Sequence, residues 1–274
     1  MTLKKAGVIG FPIHHSKSPI IHNYWLKKYG IPSEYNAFEI RPEELKKFIF
    51  SLKEQGLAGI NVTVPHKVAV MKLMDELSDA AKKAGAVNTV VVRKDGTLLG
   101  HNTDGLGFLA NIQEKKENFD IKQKPVVILG TGGAARGICA ALVLAGVPEI
   151  RLVYRTKEKA ENLASSVGGN FRLIEWSKKE TALKGAGLFA NATTLGMNGF
   201  DPLEIDLSDL DTSAIVADAV YSPLKTKLLK QAAEKGHITA DGLGMLLHQA
   251  CPAFQAWFGI MPEITPELRE LVLK

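Results

Sequence analysis

Short runs of consecutive apolar residues alternate along this chain with segments of helical period, and that alternation predicts an α/β fold. Residues 6–10 are an apolar strand. Ser18 and Pro19 read as the N-cap and first position of a helix to about Tyr29, stopped by Gly30, Ile31 and Pro32. A strand follows at 35–40, then a helix from Pro42 with Leu45, Phe48, Ile49 and Leu52 on one face. The third strand, 59–64, ends in Pro65-His66-Lys67, and a helix is predicted over 68–77. Strands at 88–93 and 97–100 flank Asp95-Gly96, a hairpin signal. A helix over 105–116 and a charged linker, 115–124, come next. Beyond them, strands at 126–129, 150–153, 187–191, 214–217 and 237–240 alternate with helices at 138–145, 157–167 and 225–235. Such βαβ alternation predicts a parallel sheet covered on both faces. The chain ends in a long apolar helix over 243–257, which Pro252 should kink, and a short helix after Thr265-Pro266.

The stretch Val126-Val127-Ile128-Leu129-Gly130-Thr131-Gly132-Gly133-Ala134-Ala135 is the strand, glycine turn and helix start of a dinucleotide fold. Gly130 permits the tight turn. Gly132 lets a pyrophosphate approach the backbone, and Ala135 lets helix and strand pack closely. A helix N-terminus there offers N–H groups and a partial positive charge to phosphate.

The chain has 274 residues, 46% hydrophobic and 23% charged, enough for one or two ordinary domains. The net charge of +5 is scattered, which fits an anionic small ligand and argues against nucleic acid as a partner. Cys139 and Cys251 both sit in apolar helical stretches, as buried thiols in a reducing cytoplasm would. Lys4 and Lys5 lead directly into a strand, so no secretory leader is expected. No apolar run approaches ~18 residues, so no membrane span is expected. The seven histidines show no metal-ligand spacing, and no metal is expected.

Several polar residues could carry chemistry. Lys67 follows a strand, at the edge where open α/β sheets bind ligands, and Asp104 follows another. A Lys–Asp pair can act on a hydroxyl, the ammonium giving a proton and the carboxylate orienting it. A surface lysine and an Asp N-cap are the alternative. Ser16 and Ser18 could donate to a carboxylate beside a helix start, or Ser18 could simply cap that helix. Asn61, Thr63 and Asn88 lie in or beside apolar strands and need partners, which a polyhydroxylated ligand or cross-strand hydrogen bonds would supply. Folds that bind NAD usually carry an acid at the end of their second strand. Here Tyr154-Arg155-Thr156 stands there, with Lys157 and Lys159 near, which suits a 2′-phosphate and favours NADP. An exposed arginine at a helix start is the other reading.

Taken together, these pieces resemble the shikimate dehydrogenase family. Phe11-Pro12-Ile13-His14-His15-Ser16-Lys17-Ser18-Pro19 with His22-Asn23 is similar to its substrate loop, and Asn61-Val62-Thr63-Val64-Pro65-His66-Lys67 to its lysine motif. Segments 84–89, 102–105 and 130–136 match further motifs, as do 191–193 with Gly196-Met197, 218–221, and 241–246 with Gln249. The resemblance implies two α/β domains. One is an N-terminal substrate-binding and catalytic domain, residues 1–104, to which the C-terminal helices of 242–274 return. The other is a Rossmann-type doubly wound NADP-binding domain, residues 105–241. It further implies reversible NADPH-dependent reduction of 3-dehydroshikimate to shikimate, in the shikimate pathway of aromatic amino acid biosynthesis, by a cytoplasmic monomer or homodimer. In that scheme Lys67 is the acid/base and Asp104 bonds the same hydroxyl, while Ser16 and Ser18 hold the substrate carboxylate. Asn61, Thr63, Asn88, Asp104, Tyr221 and Gln249 hold ring hydroxyls or line the pocket. Gly130, Thr131, Gly132, Gly133, Ala134, Arg155, Thr156 and Lys159 bind the dinucleotide, with Ala219, Gly242 and Met245 by its nicotinamide. Thr131 and Tyr154 depart from the family pattern, as does Pro252. A quinate/shikimate dehydrogenase using NAD is the near alternative; a non-catalytic dinucleotide-binding regulator is the distant one.

Overall fold

The computed structural model describes residues 5–274, so Lys4 lies outside the described residues. The chain divides into two compact units: one takes the chain up to Thr103 and from Leu247 onward, the other takes Asp104–Leu246.

The first unit carries strands β1 (Lys5–Gly10), β2 (Tyr35–Glu39), β3 (Leu57–Val62), β4 (Glu76–Leu77), β5 (Thr89–Val92) and β6 (Leu98–His101). They form one sheet in the order β2-β1-β3-β5-β6-β4. The first three run parallel, and β5 turns antiparallel to β3. Helices α1 (Ser18–Lys28), α2 (Leu45–Ser51) and α3 (Asp79–Ala84) belong to this unit. One core packs Ile9, Ile60, Val62, Val90 and Leu98 of the sheet with Leu45, Ile49 and Leu52. Elsewhere in the unit, the Trp25 indole N–H donates to the Glu263 carbonyl at 2.9 Å, and that of Trp257 to the Val90 carbonyl at 3.0 Å.

Two local expectations are corrected by the structure. The helix predicted over 68–77 is a 3₁₀ turn at Ala69–Leu73, after which Glu76–Leu77 joins the parallel edge of β6. The open backbone groups of β6 and the Asp75 carboxylate, which accepts from the Leu98 N–H at 2.7 Å, outweigh the local helical pattern. Ser18 is not the N-cap of α1: Lys17 holds that position, and the Ser16 hydroxyl oxygen accepts the Ser18 N–H at 3.3 Å. Helix α3 is too short for its apolar pattern to announce it; its cap is Ser78, whose hydroxyl oxygen accepts from the Ala81 N–H at 3.2 Å.

The second unit is an all-parallel sheet of β7 (Val126–Leu129), β8 (Ile150–Tyr154), β9 (Phe171–Glu175), β10 (Leu188–Asn191), β11 (Ile215–Asp218) and β12 (Ile238–Ala240). Its order is β12-β11-β10-β7-β8-β9, the doubly wound arrangement, with the switch in direction between β7 and β10. Every residue of β7, β10 and β11 is buried, as strands covered on both faces must be. The helices are α4 (Asp104–Lys115), α5 (Gly133–Leu144), α6 (Lys157–Val167) and α7 (Lys227–Glu234). Helix α8 (Gly242–Phe258) starts in this unit and ends in the first, where α9 (Pro266–Leu273) follows. Helix α8 runs through Pro252 without interruption. Helix α5 begins at Gly133, not near residue 138; its glycine-rich first turn hides the helical pattern, but the Arg136 N–H already donates to the Gly132 carbonyl at 3.0 Å. Gly105 abuts the Gly137 carbonyl and the Ala141 Cβ, so α4 and α5 pack with almost no side chain between them. Strand β9 adds to the five strands expected of this unit: it is an edge strand carrying Arg172 and Glu175.

Candidate active site

In the second unit, the sharp turn after β7 is built on Gly130, whose φ of +103° puts it where only glycine is unstrained. A Cβ there would also press on the Thr193 methyl at 2.9 Å. Gly132 is the N-cap of α5 and has no side chain with which to cap it, so the first N–H groups of the helix face outward. Positions 132 and 133 open onto free space: a Cβ on either would meet nothing within 4 Å. That space is a cavity of about 660 Å³. Its lining brings together Gly130, Thr131, Gly132, Gly133, Ala134, Arg155, Thr156, Lys159 and Ala219, nine residues singled out from the sequence for a dinucleotide. Tyr221, singled out for the substrate, lines it as well. Gly242 and Met245 do not: both are buried, and Gly242 backs directly onto the Ala219 carbonyl, which it therefore positions from behind.

A buried carboxylate holds some of the loops that line the cavity. Asp218 ends β11, and its two oxygens accept from Asn191 Nδ2 at 2.9 Å, the Val220 N–H at 3.0 Å and the Thr226 hydroxyl at 2.7 Å. Asn191 Oδ1 in turn accepts from the N–H and hydroxyl of Thr193. Burial pushes the Asp218 carboxyl up to about 6, against the pull of those three donors. This array fixes the loops that present Thr193, Val220 and Tyr221 to the cavity.

Sequence patterning does not single out Trp176, which follows β9 and lines the same cavity. The available signal is the alternation Phe171-Arg172-Leu173 after Gly168-Gly169, an aromatic then standing at the strand's end.

In the first unit, the C-terminal ends of parallel strands gather the other candidates. The loops after β1 and β3 are tied together, the Phe11 N–H donating to the Val64 carbonyl at 3.0 Å and the Thr63 N–H to the Ile9 carbonyl at 2.9 Å. The β1 loop carries Ser16 and Ser18, and the Ile13 N–H in it donates to Glu39 at the end of β2. Lys67 is half-buried, and its backbone is pinned: its carbonyl accepts from the Val87 N–H at 2.8 Å. The neighbouring His66 is buried, with its Nε2 2.7 Å from the Ile40 carbonyl.

Asn88 and Gln249 meet in this unit: Asn88 Nδ2 donates to Gln249 Oε1 at 3.3 Å and to the Thr103 hydroxyl at 3.0 Å. Asn61 makes hydrogen bonds across the strands. Its Nδ2 donates to the Asn88 carbonyl and to Thr89 Oγ1, and its Oδ1 accepts the Tyr35 hydroxyl at 2.7 Å. The buried Tyr35 ring stacks on His22 at 4.2 Å. Burial lowers the His22 imidazole to about 3, so it stays neutral. Asp104 and Tyr221 belong to the second unit, where Asp104 is the buried first residue of α4. Among the described residues no group of three or more His, Cys, Asp or Glu could hold a metal ion, and no helix is long and apolar enough to cross a membrane.

A doubly wound sheet with an open, uncapped glycine turn, joined to a second α/β unit with a lysine at a strand edge, defines a two-unit α/β protein of the dinucleotide-binding class. Three family models match it: the shikimate dehydrogenase substrate binding domain over residues 8–90, shikimate/quinate 5-dehydrogenase over 111–196, and the shikimate 5′-dehydrogenase C-terminal domain over 242–271. The chain is 48% identical over 268 residues to the shikimate dehydrogenase (NADP(+)) of Paramagnetospirillum magneticum, covering 98% of this chain and 97% of that one. Among solved structures, it is similar to the Thermus thermophilus shikimate 5-dehydrogenase in complex with NADP(H) and shikimate (TM-score 0.85, 31% identity, 98% of each chain). It is also similar to the quinate dehydrogenase of Corynebacterium glutamicum in complex with NAD (TM-score 0.90, 31% identity, 99% of each chain). The chain belongs to the shikimate dehydrogenase family.

Proposed function

We propose that this protein is an NADP-dependent shikimate dehydrogenase, interconverting 3-dehydroshikimate and shikimate in the pathway to the aromatic amino acids. The observation that carries the reading is the cavity of the second unit. An uncapped helix start and bare glycines stand at one part of its lining, and Arg155, Thr156 and Lys159 at another. That donor set fits a pyrophosphate and a ribose 2′-phosphate. The quinate and NAD alternative would call for an acid where Arg155 stands.

Bound NADPH supplies the hydride. The chain's own work is to hold the substrate and move a proton. Lys67 is the acid/base: as charge grows on the carbonyl oxygen, its ammonium stabilises that oxygen and protonates it. Its pinned backbone limits how far the ammonium can stray. Asp104 is the carboxylate that orients the reacting hydroxyl. Ser16 and Ser18 take the substrate carboxylate, and Thr63, Asn88, Gln249 and Tyr221 take its hydroxyls or line their surroundings. Asn61 takes part in holding the hydroxyls as well, its amide fixed by its bonds to the Asn88 carbonyl, Thr89 and Tyr35. The substrate-binding role goes to the first unit and the dinucleotide-binding role to the second, and the protein works in the cytoplasm.

The test is an initial-rate comparison of shikimate and quinate, each with NADP and NAD. Shikimate with NADP should exceed every other combination at least tenfold in kcat/KM. Equal or better rates with quinate and NAD would overturn the assignment.

A further inference from the structure

Arg155 and Trp176 are the residues that directly follow two neighbouring strands. In the parallel pair of β8 and β9, Tyr154 stands opposite Glu175, and each strand's next residue is one of the two. Their side chains meet: the Arg155 guanidinium carbon lies 4.4 Å from the centre of the Trp176 ring. The Trp176 ring is itself half-buried and packed against the core of its unit. Lys179 adds a second ammonium 5.9 Å from the same ring centre. Arg155 and Trp176 line both the large cavity and a smaller one of about 320 Å³ beside it, so the pair forms a wall shared by the two.

A guanidinium on a ring face is held by its π-face, and its N–H donors lie in its own plane, where an anion can still reach them. An exposed arginine otherwise samples many rotamers and must be ordered each time it binds phosphate.

We propose that Trp176 is a positioning residue for cofactor choice: its ring holds Arg155 ready to receive the ribose 2′-phosphate of the dinucleotide. The inference rests on the NADP reading above and assigns that selectivity to a second residue, one that needs no contact with the phosphate.

The test uses the full chain and two probes, 2′,5′-ADP and 5′-AMP, which differ only in the 2′-phosphate. Binding is measured by calorimetry for the wild type, Trp176→Leu, Trp176→Phe, Arg155→Ala and Trp176→Leu/Arg155→Ala. Leucine keeps an apolar side chain against the core and removes the ring face; phenylalanine keeps a face. Trp176→Leu should weaken 2′,5′-ADP about 2- to 6-fold, the range expected of an exposed cation–π pair. Affinity for 5′-AMP should stay within about twofold, and Trp176→Phe should restore most of the loss. In the Arg155→Ala background Trp176→Leu should cost nothing further. Equal weakening of both probes would overturn the proposal, because Trp176 would then serve the shared adenosine. Unchanged 2′,5′-ADP affinity would overturn it as well. A wild type that does not prefer 2′,5′-ADP would refute the NADP reading itself, a distinct outcome. A second measurement needs no variant. Trp25 and Trp257 are buried in the first unit, so 2′,5′-ADP should change the emission of Trp176 and 5′-AMP should change it less. Identical responses to the two probes count against the proposal.

Discussion

The buried carboxylate behind the cavity makes stability depend on pH in an unusual direction. Burial holds the Asp218 carboxyl near 6 in the folded protein, against 3.8 for an ordinary aspartate. That difference of about two units corresponds to about 3 kcal/mol, at about 1.36 kcal/mol per unit. Below the ordinary value the group is protonated in both states and costs nothing. Between about pH 4 and pH 6 the unfolded chain ionises freely while the folded one keeps its proton, so the unfolded state gains. Above the folded value both states are ionised and the loss levels off. Stability from this group therefore falls as pH rises through that window, the reverse of the usual surface carboxylate. Asp218→Asn is nearly isosteric and leaves an oxygen to accept from Asn191 and Val220, while the Thr226 hydroxyl can turn to accept instead. Urea unfolding of both proteins, followed by circular dichroism at about pH 4, 5, 6 and 7, isolates the group because every other titration cancels in the difference. The variant should gain on the wild type by up to about 3 kcal/mol across the window, and carbon NMR of the Asp218 carboxyl should give a midpoint near 6. A difference that stays flat within about 0.5 kcal/mol, or a wild type that gains, would refute the reasoning.

Other consequences are as direct. Lys67→Ala should cut turnover by about 10² to 10⁴-fold while shikimate affinity changes far less, read by shikimate-dependent NADP reduction and equilibrium binding; turnover within a few-fold of wild type would remove Lys67 from the acid/base role. Ser16→Ala should weaken shikimate binding and leave NADP binding alone; lost thermal stability with normal kinetics would leave its hydroxyl only the Ser18 N–H it accepts in α1. His22 behaves oppositely to Asp218. Its imidazole is lowered by burial from 6.5 to about 3, so stability is fully present above pH 6.5 and lost as pH falls toward 3. Relative to His22→Phe, the wild type should lose up to about 5 kcal/mol over that range in acid unfolding, and parallel curves would exclude the effect.

Residues whose role depends on their immediate neighbours are legible in the order of the chain alone. The turn at Gly130 needs a conformation only glycine takes easily. The cap at Thr265 before Pro266 forms as expected, its hydroxyl oxygen accepting the Leu268 N–H at 3.2 Å. The apolar run 126–129 is a strand with those bounds. Helix α5 shows the limit of such reading: its first turn is too rich in glycine to look helical, yet it is the turn that faces the cavity.

Features legible in chain order are therefore local: the alternation of apolar runs and helical faces, the glycine turn, and the cationic cluster after the second strand of the nucleotide unit. These depend on backbone conformations and on neighbours a few residues away, which the chain order already specifies. Which partners each polar side chain takes depends on how distant strands pair and pack. Asn61 is an example: the pairing of β3 with β5 brings Thr89 opposite it and supplies one of its hydrogen-bond partners. Trp176 could have been any aromatic beside a loop. Register between β8 and β9 joins it to Arg155, about 20 residues earlier in the chain, and no pattern within either strand encodes that register.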